Sequence, residues 1–246
     1  MRDFHFPGRS ATYASNGMCA TSHPLAAKVA IQMLEAGGNA VDAAIAGAVL
    51  LGLCEPQMTG IGGDCFVLLT PAGEDRVVAL NGSGRAPAAL SAAHLRDQGH
   101  GTVPLYDPAA VTIPGAVDAF CRLSADFGKL GLKALLAPAI YYADAGVPVA
   151  PKVAFDYAQS GAALHGAGRT HYTLQDKPLT LGQKFRAPGQ ADVLRHVAME
   201  GRAGFYEGET AKIIADFMAQ HGGIITQADL KGYQIGGFLN KNRKTI

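Results

Sequence analysis

The sequence predicts an α+β protein in which a helical layer covers an antiparallel sheet. Two runs of strand character, CFVLLT at 65–70 and RVVALNG at 76–82, are separated by the turn residues PAGED, and such a hairpin pairs antiparallel. Five later segments carry apolar residues three and four apart, the spacing of one helix face. The 31 glycines, together with abundant alanine, allow such layers to approach closely. A chain of 246 residues that is 48% hydrophobic can bury a full core, and no internal repeat or low-complexity linker divides it.

Taken in order, the first element is a helix from Pro24 to Ala36. Proline stands in its first turn, Leu25, Val29 and Met33 share a face, and Gly37 ends it. Asn39 then caps a second helix, with Asp42 three positions on as a variant of the capping box. The run AAIAGAVLLGL that follows is apolar on every side, which predicts a buried helix, and Pro56 stops it. After the hairpin come PGAVDAFCRLSADFG, LKALLAPAIYYADAG, APKVAFDYAQSGAAL, QADVLRHVAMEG and GETAKIIADFMAQHGG, which form the helical layer. Thr226 with Asp229 caps one more short helix toward Tyr233.

Charge and composition exclude several functions. The 21 basic and 20 acidic residues nearly cancel, and the one basic cluster is KNRK at 241–244, so neither nucleic acid nor an anionic membrane is an expected partner. The N-terminus, MRDFHFPGRSATYASNG, has charges where an export signal needs a continuous apolar segment. The longest apolar stretch, Ala43 to Leu53, is too short to span a bilayer. Cys19, Cys54, Cys65 and Cys121 lack metal-type spacing and read as mostly buried, reduced thiols, which fits a cytoplasmic protein.

The stretch GIGGDCF at 60–66 could be a phosphate cradle, a metal turn, or backbone that must pass close to something else. It lacks the last glycine of GxGxxG and follows a helix rather than a strand, and no GxxxxGK[ST] occurs. None of the eight histidines forms HxxxH or pairs with a cysteine at ligand spacing. His23, before Pro24, reads as a helix-entry residue rather than a catalyst, and NGSGR at 81–85 does not supply the GxSxG elbow. Asp64 and Arg85 are the charges to weigh, since each adjoins an apolar strand. Either they cap local backbone or pair with each other, or Arg85 offers its guanidinium fork to a carboxylate.

The series ATSHPLAAKVAIQMLEAGGNAVDAAIA, EPQMTGIGGDCF, LNGSGRAPAA, VTIPGAVDAF, LLAPAIYYADAGVPVAP and GFYEGETAKIIADFMAQHGGIITQADLKGY resembles the gamma-glutamyltransferase (gamma-glutamyltranspeptidase) family over about Pro7 to Gln234. The resemblance implies an N-terminal nucleophile hydrolase, an αββα sandwich of two stacked antiparallel sheets, made as a proenzyme that cuts itself into large and small subunits. The cut exposes a threonine whose hydroxyl attacks the γ-glutamyl amide of glutathione or a similar compound, with its own α-amine as base and no metal or organic cofactor. The acyl group then passes to an amino acid, a dipeptide or water.

Two departures from the family pattern shape the expectations. The nucleophilic threonine belongs to the small subunit, and after Gln234 the sequence IGGFLNKNRKTI no longer resembles the family. Residues 1–234 are therefore read as most of a large subunit and 235–246 as a divergent tail, a truncated frame without a catalytic residue of its own. Thr245, one residue from the end, is not a plausible nucleophile. Glutamyl-specific members also carry, after LDG, an arginine that grips the substrate α-carboxylate. Here that position is Ser83, and the nearest arginine is Arg85, the expected substrate-binding residue. The implied partners are a small γ-glutamyl or related acyl amide and the small subunit of the same proenzyme. The alternatives are an acylase-type amide hydrolase of the same family and a catalytically inactive remnant.

Overall fold

A computed structural model describes residues 11–160 and 164–242. Residues 1–10, part of the N-terminus read for an export signal, and Thr245 lie outside these. Helix α1 spans Pro24–Glu35 and α2 spans Ala40–Cys54. His23 enters α1 as its cap, its Nδ1 accepting the Leu25 N–H at 3.2 Å. The capping box of α2 is complete: Asn39 Oδ1 accepts from the Val41 and Asp42 N–H groups, and Asp42 Oδ2 accepts from the Asn39 N–H at 2.9 Å. Asp42 is fully buried, and its carboxylate also accepts the N–H groups of Lys129 and Leu130 at 3.0 and 3.3 Å. One side chain thus starts a helix and fastens a loop 88 residues away.

The expectation that α2 is buried all round needs correction. Val49, Leu50 and Leu53 are in the core, but Ala40, Ala44 and Ala48 form an exposed stripe. That stripe floors an open groove of about 830 Å³ beside strand β1, Cys65–Leu69. Apolar composition put the helix in the interior, yet the side facing this groove is left open among the described residues.

Strand β2, Arg76–Gly82, pairs antiparallel with β1 through the turn at 71–75, with Val67 opposite Leu80. On the far side of β2 lies β7, Leu239–Asn242, also antiparallel, so the order is β1, β2, β7, and among the described residues β1 keeps a free edge. The inner face, with Val78 and Leu80 buried, rests on α4 (Ala116–Phe127), which packs in turn on α2. On the outer face Phe66, Leu68 and Leu239 are 66%, 77% and 65% exposed, so this face is a bare apolar surface. Among the described residues no second sheet stacks on it; the other two sheets are two-residue ladders, β3 (Val147–Pro148) with β6 (Lys184–Phe185) and β4 (Thr173–Leu174) with β5 (Lys177–Pro178).

The rest is helical. Helices α5 (Leu132–Ala145), α6 (Pro151–Ser160), α8 (Pro188–Glu200) and α10 (Gly208–Gln220) fall where their apolar spacing predicts, and α5 packs on both α2 and α8. The short helices α3 (Ala92–Asp97), α7 (Gly166–Tyr172) and α9 (Ala203–Tyr206) hold too few turns to show a period. Thr226 and Asp229 form a second complete capping box on α11, Gln227–Gly232. All four cysteines are free, but only Cys54 is buried; Cys65, on the edge strand, and Cys19 and Cys121 are half-buried. No helix among the described residues is long and apolar enough to cross a membrane.

Candidate functional site

The glycine stretch makes a close backbone approach. A Cβ added to Gly52, in the last turn of α2, would lie 3.0 Å from the Gly60 Cα. The loop then turns so that the Gly63 carbonyl accepts the N–H groups of Gly115 and Ala116, at 3.0 and 2.9 Å. Those donors open α4 and have no partner within the helix, so a loop carbonyl supplies what a capping side chain would. The same loop delivers Asp64 to the start of β1.

Asp64 and Arg85 come together at this end of the hairpin, but not as an ion pair. Asp64 Oδ1 accepts the Gly84 N–H at 2.9 Å, so Asp64 holds backbone. Gly84 is forced by crowding, because a Cβ there would overlap the Ile113 carbonyl oxygen and Thr112 Oγ1. Residues 83–87 belong to no helix or strand. Arg85 is exposed, and among the described residues its guanidinium has neither an ion-pair nor a hydrogen-bond partner. Its backbone is pinned instead, with the Arg85 carbonyl accepting the Ile113 N–H at 2.9 Å. Ser83 carries no charge to this point; its N–H donates to Asn81 Oδ1 at 2.9 Å.

Behind the turn lies a polar assembly that local sequence patterns did not reveal. The Tyr233 hydroxyl donates to the Ser83 carbonyl at 2.8 Å, and Tyr233 stacks on Tyr206 with ring centroids 5.8 Å apart. Tyr206, fully buried, donates to the Pro114 carbonyl at 2.6 Å. Arg202 lies 4.5 Å over the Tyr206 ring and pairs with the buried Asp118 at 3.1 Å, and it donates to the carbonyl of Tyr233. Burial first, and then the carboxylates of Asp118 and Asp64, hold the Tyr233 phenol above its usual range, against Arg85 and Arg202. It is therefore a neutral donor at physiological pH. Thr226 and Asp229 read locally as a cap, and nothing nearby in sequence announces that Asp229 Oδ1 accepts the Ala88 N–H or that Tyr233 reaches Ser83.

Among the described residues no nucleophile with a free base stands at this site. Burial pushes the Cys65 thiol up to about 11, so it carries almost no thiolate at neutral pH. Thr210 does lie 3.3 Å from His196 Nδ1, but it is 5% exposed and gives its proton to the Gly204 carbonyl at 2.8 Å. That pair joins α9 to α10. No group of three or more His, Cys, Asp or Glu among the described residues is arranged to hold a metal ion. The 830 Å³ groove is a separate feature, mostly apolar in its walls, and neither Asp64 nor Arg85 lines it. What the hairpin end presents is an exposed cation, Arg85, on backbone held by Asp64 and Ile113.

Comparison with known proteins agrees in sequence and in fold. The model of the gamma-glutamyltranspeptidase family matches residues 26–237. The glutathione hydrolase proenzyme of Pseudomonas aeruginosa is 37% identical over 222 residues, which is 89% of this chain and 39% of that protein. The acylase ACY 1 proenzyme of a Pseudomonas species, strain V22, is 34% identical over 250 residues, 95% of this chain and 43% of that protein. The chain thus spans about two fifths of the length of these curated relatives. Among solved structures, the gamma-glutamyltranspeptidase of Helicobacter pylori superposes with a TM-score of 0.86 at 27% identity, over 94% of this chain and 67% of that one. The cephalosporin acylase from Bacillus halodurans gives 0.86 at 38% identity, over 95% and 45%.

Proposed function

Because the chain belongs to the gamma-glutamyltranspeptidase family, we propose that it is the large-subunit part of an acyl-transfer enzyme acting on γ-glutamyl amides such as glutathione. The reacting threonine is supplied by a small-subunit segment that these residues do not include. Its hydroxyl oxygen forms a bond to the amide carbonyl carbon while its α-amine takes the proton; the C–N bond then breaks and the leaving amine receives that proton. Water or a second amine accepts the acyl group and frees the threonine. In this reading the present chain holds and orients the acyl portion, needs no metal or organic cofactor, and releases no product alone. Its relatives include proteins named glutathione hydrolase proenzymes.

The observation that carries this reading is Arg85: an exposed guanidinium without a partner among the described residues, on a pinned turn, at the end of the hairpin. A planar fork of this kind suits a carboxylate on the acyl group. The placement of Ser83 supports a second reading, acylase-type hydrolysis. With the cation two residues further along than in glutamyl-specific members, a glutaryl chain lacking the α-amino group could be the better fit. The relatives named acylases and the cephalosporin acylase structure agree with it.

The test is release of nitroaniline from γ-glutamyl, glutaryl and butyryl p-nitroanilides. Residues 1–246 alone should release none. The same chain produced together with the threonine-led segment of the Pseudomonas aeruginosa relative should release it from at least one carboxylated donor. Release by the chain alone, surviving a control for host enzymes, would show that the nucleophile lies within these residues. Silence of the folded, joined protein toward all three donors would overturn the acyl-transfer reading.

A further inference from the structure

We propose that the segment from Asp229 to Tyr233 is a clamp that positions Arg85 for anion recognition, with Tyr233 and Asp229 as positioning residues. The proposal rests on the reading of Arg85 as a carboxylate anchor.

Beside the local bonds of the Ser83 N–H to Asn81 Oδ1 and of the Leu90 N–H to the Pro87 carbonyl, four hydrogen bonds from residues distant in sequence fasten the irregular segment 83–88. The Ser83 carbonyl accepts from Tyr233 Oη, the Gly84 N–H donates to Asp64, the Arg85 carbonyl accepts from Ile113 N–H, and the Ala88 N–H donates to Asp229 Oδ1 at 3.0 Å. The two outer bonds both come from the α11 turn, 150 and 141 residues away, and they bracket Arg85. A segment without ladder bonds samples many backbone states, and a ligand that must select one of them binds more weakly. Fastening the segment during folding removes that loss at binding.

The clamp is itself over-determined. Tyr233 is 3% exposed, lies against Tyr206, and has its own carbonyl held by Arg202, which Asp118 anchors. Asp118 Oδ2 also accepts the Ile235 N–H at 2.8 Å, fixing the chain just beyond. The Asp229 carboxylate serves twice, closing the capping box with Thr226 through Oδ2 and holding Ala88 through Oδ1. These bonds all act on backbone and leave the guanidinium free. That division separates positioning from recognition.

The experiment uses the full chain and the arginine reagent phenylglyoxal, with labelling of the Arg85 peptide followed by mass spectrometry and glutarate as the protecting anion. Glutarate should slow labelling of Arg85 in the unmodified chain. In Tyr233→Phe and in Asp229→Ala the glutarate concentration for half-protection should rise about tenfold, as expected for loss of one hydrogen bond that orders the binder. Labelling without glutarate should stay near its original rate. Asp229→Asn, which keeps an oxygen acceptor for Ala88, should restore the midpoint, and Lys231→Ala, on the same helix but away from the segment, should not move it. Melting curves accompany each variant, and if Tyr233→Phe does not fold, the Asp229 pair decides. Lower melting temperatures with unchanged midpoints would make the contacts purely structural and overturn the clamp. An Arg85 that glutarate never protects would overturn the carboxylate site itself, and the clamp with it.

Discussion

Replacing Arg85 by alanine should separate binding from stability more cleanly than any other change in this chain. The guanidinium is exposed and has no hydrogen bond or ion pair to lose among the described residues, so the stability should change by no more than an ordinary surface substitution does, about ±0.5 kcal/mol. A charge-assisted hydrogen bond to a carboxylate contributes about 1.5 to 3 kcal/mol, which corresponds to roughly a ten- to hundredfold loss in kcat/KM when it is removed. In the enzyme completed with a threonine-led segment, that loss should appear with γ-glutamyl and glutaryl anilides. Butyryl anilide, with no carboxylate, should be nearly unaffected. Measuring kcat/KM for the three donors on both versions, with calorimetric melting alongside, decides the matter. An equal loss on all three donors would refute the reasoning, because it would show that Arg85 supports the fold of the site rather than contacting the substrate.

Three further outcomes are expected. Asp42→Ala removes a buried acceptor from the N–H groups of Asn39, Lys129 and Leu130 and should cost about 3 to 5 kcal/mol, lowering the Tm by roughly 10 °C, while a shift of only a degree or two would show that water replaces the carboxylate there. Burial, opposed by Glu55, holds His23 below its usual pKa, and a protonated Nδ1 cannot accept the Leu25 N–H. The unfolded chain therefore binds the proton first, so this contribution to stability is complete above the ordinary histidine value of about 6.5 and is lost as pH falls below it. Denaturant midpoints between pH 8 and 5 should show this loss, and His23→Asn, which keeps a capping oxygen, should flatten it; an unchanged slope would assign the effect elsewhere. The bare outer face of the sheet should bind a hydrophobic dye, and Phe66→Ser with Leu68→Ser should reduce that binding, whereas a cooperatively melting monomer without dye binding would refute the exposed face.

The sequence by itself determined the elements whose causes are local. Both capping boxes, the proline-led first helix, the hairpin at 65–82 and the long helices follow from side chains within a few turns of one another. The family was legible for a different reason, since its motifs recur in order along most of the chain, and Arg85 was legible as a charge beside an apolar strand. Short elements were not, because α3, α7 and α9 are too brief to show a period. Strand β7, reading LNKN, has little strand character of its own and becomes a strand because β2 offers a free edge. Tertiary structure alone decided how the site is held. Asp64 turned out to hold the Gly84 backbone rather than to pair with Arg85, and Tyr233 and Asp229 reach residues about 150 and 141 positions away. Hydrogen bonds over such separations depend on how the helices pack beneath the sheet, and no local spacing of residues records that packing.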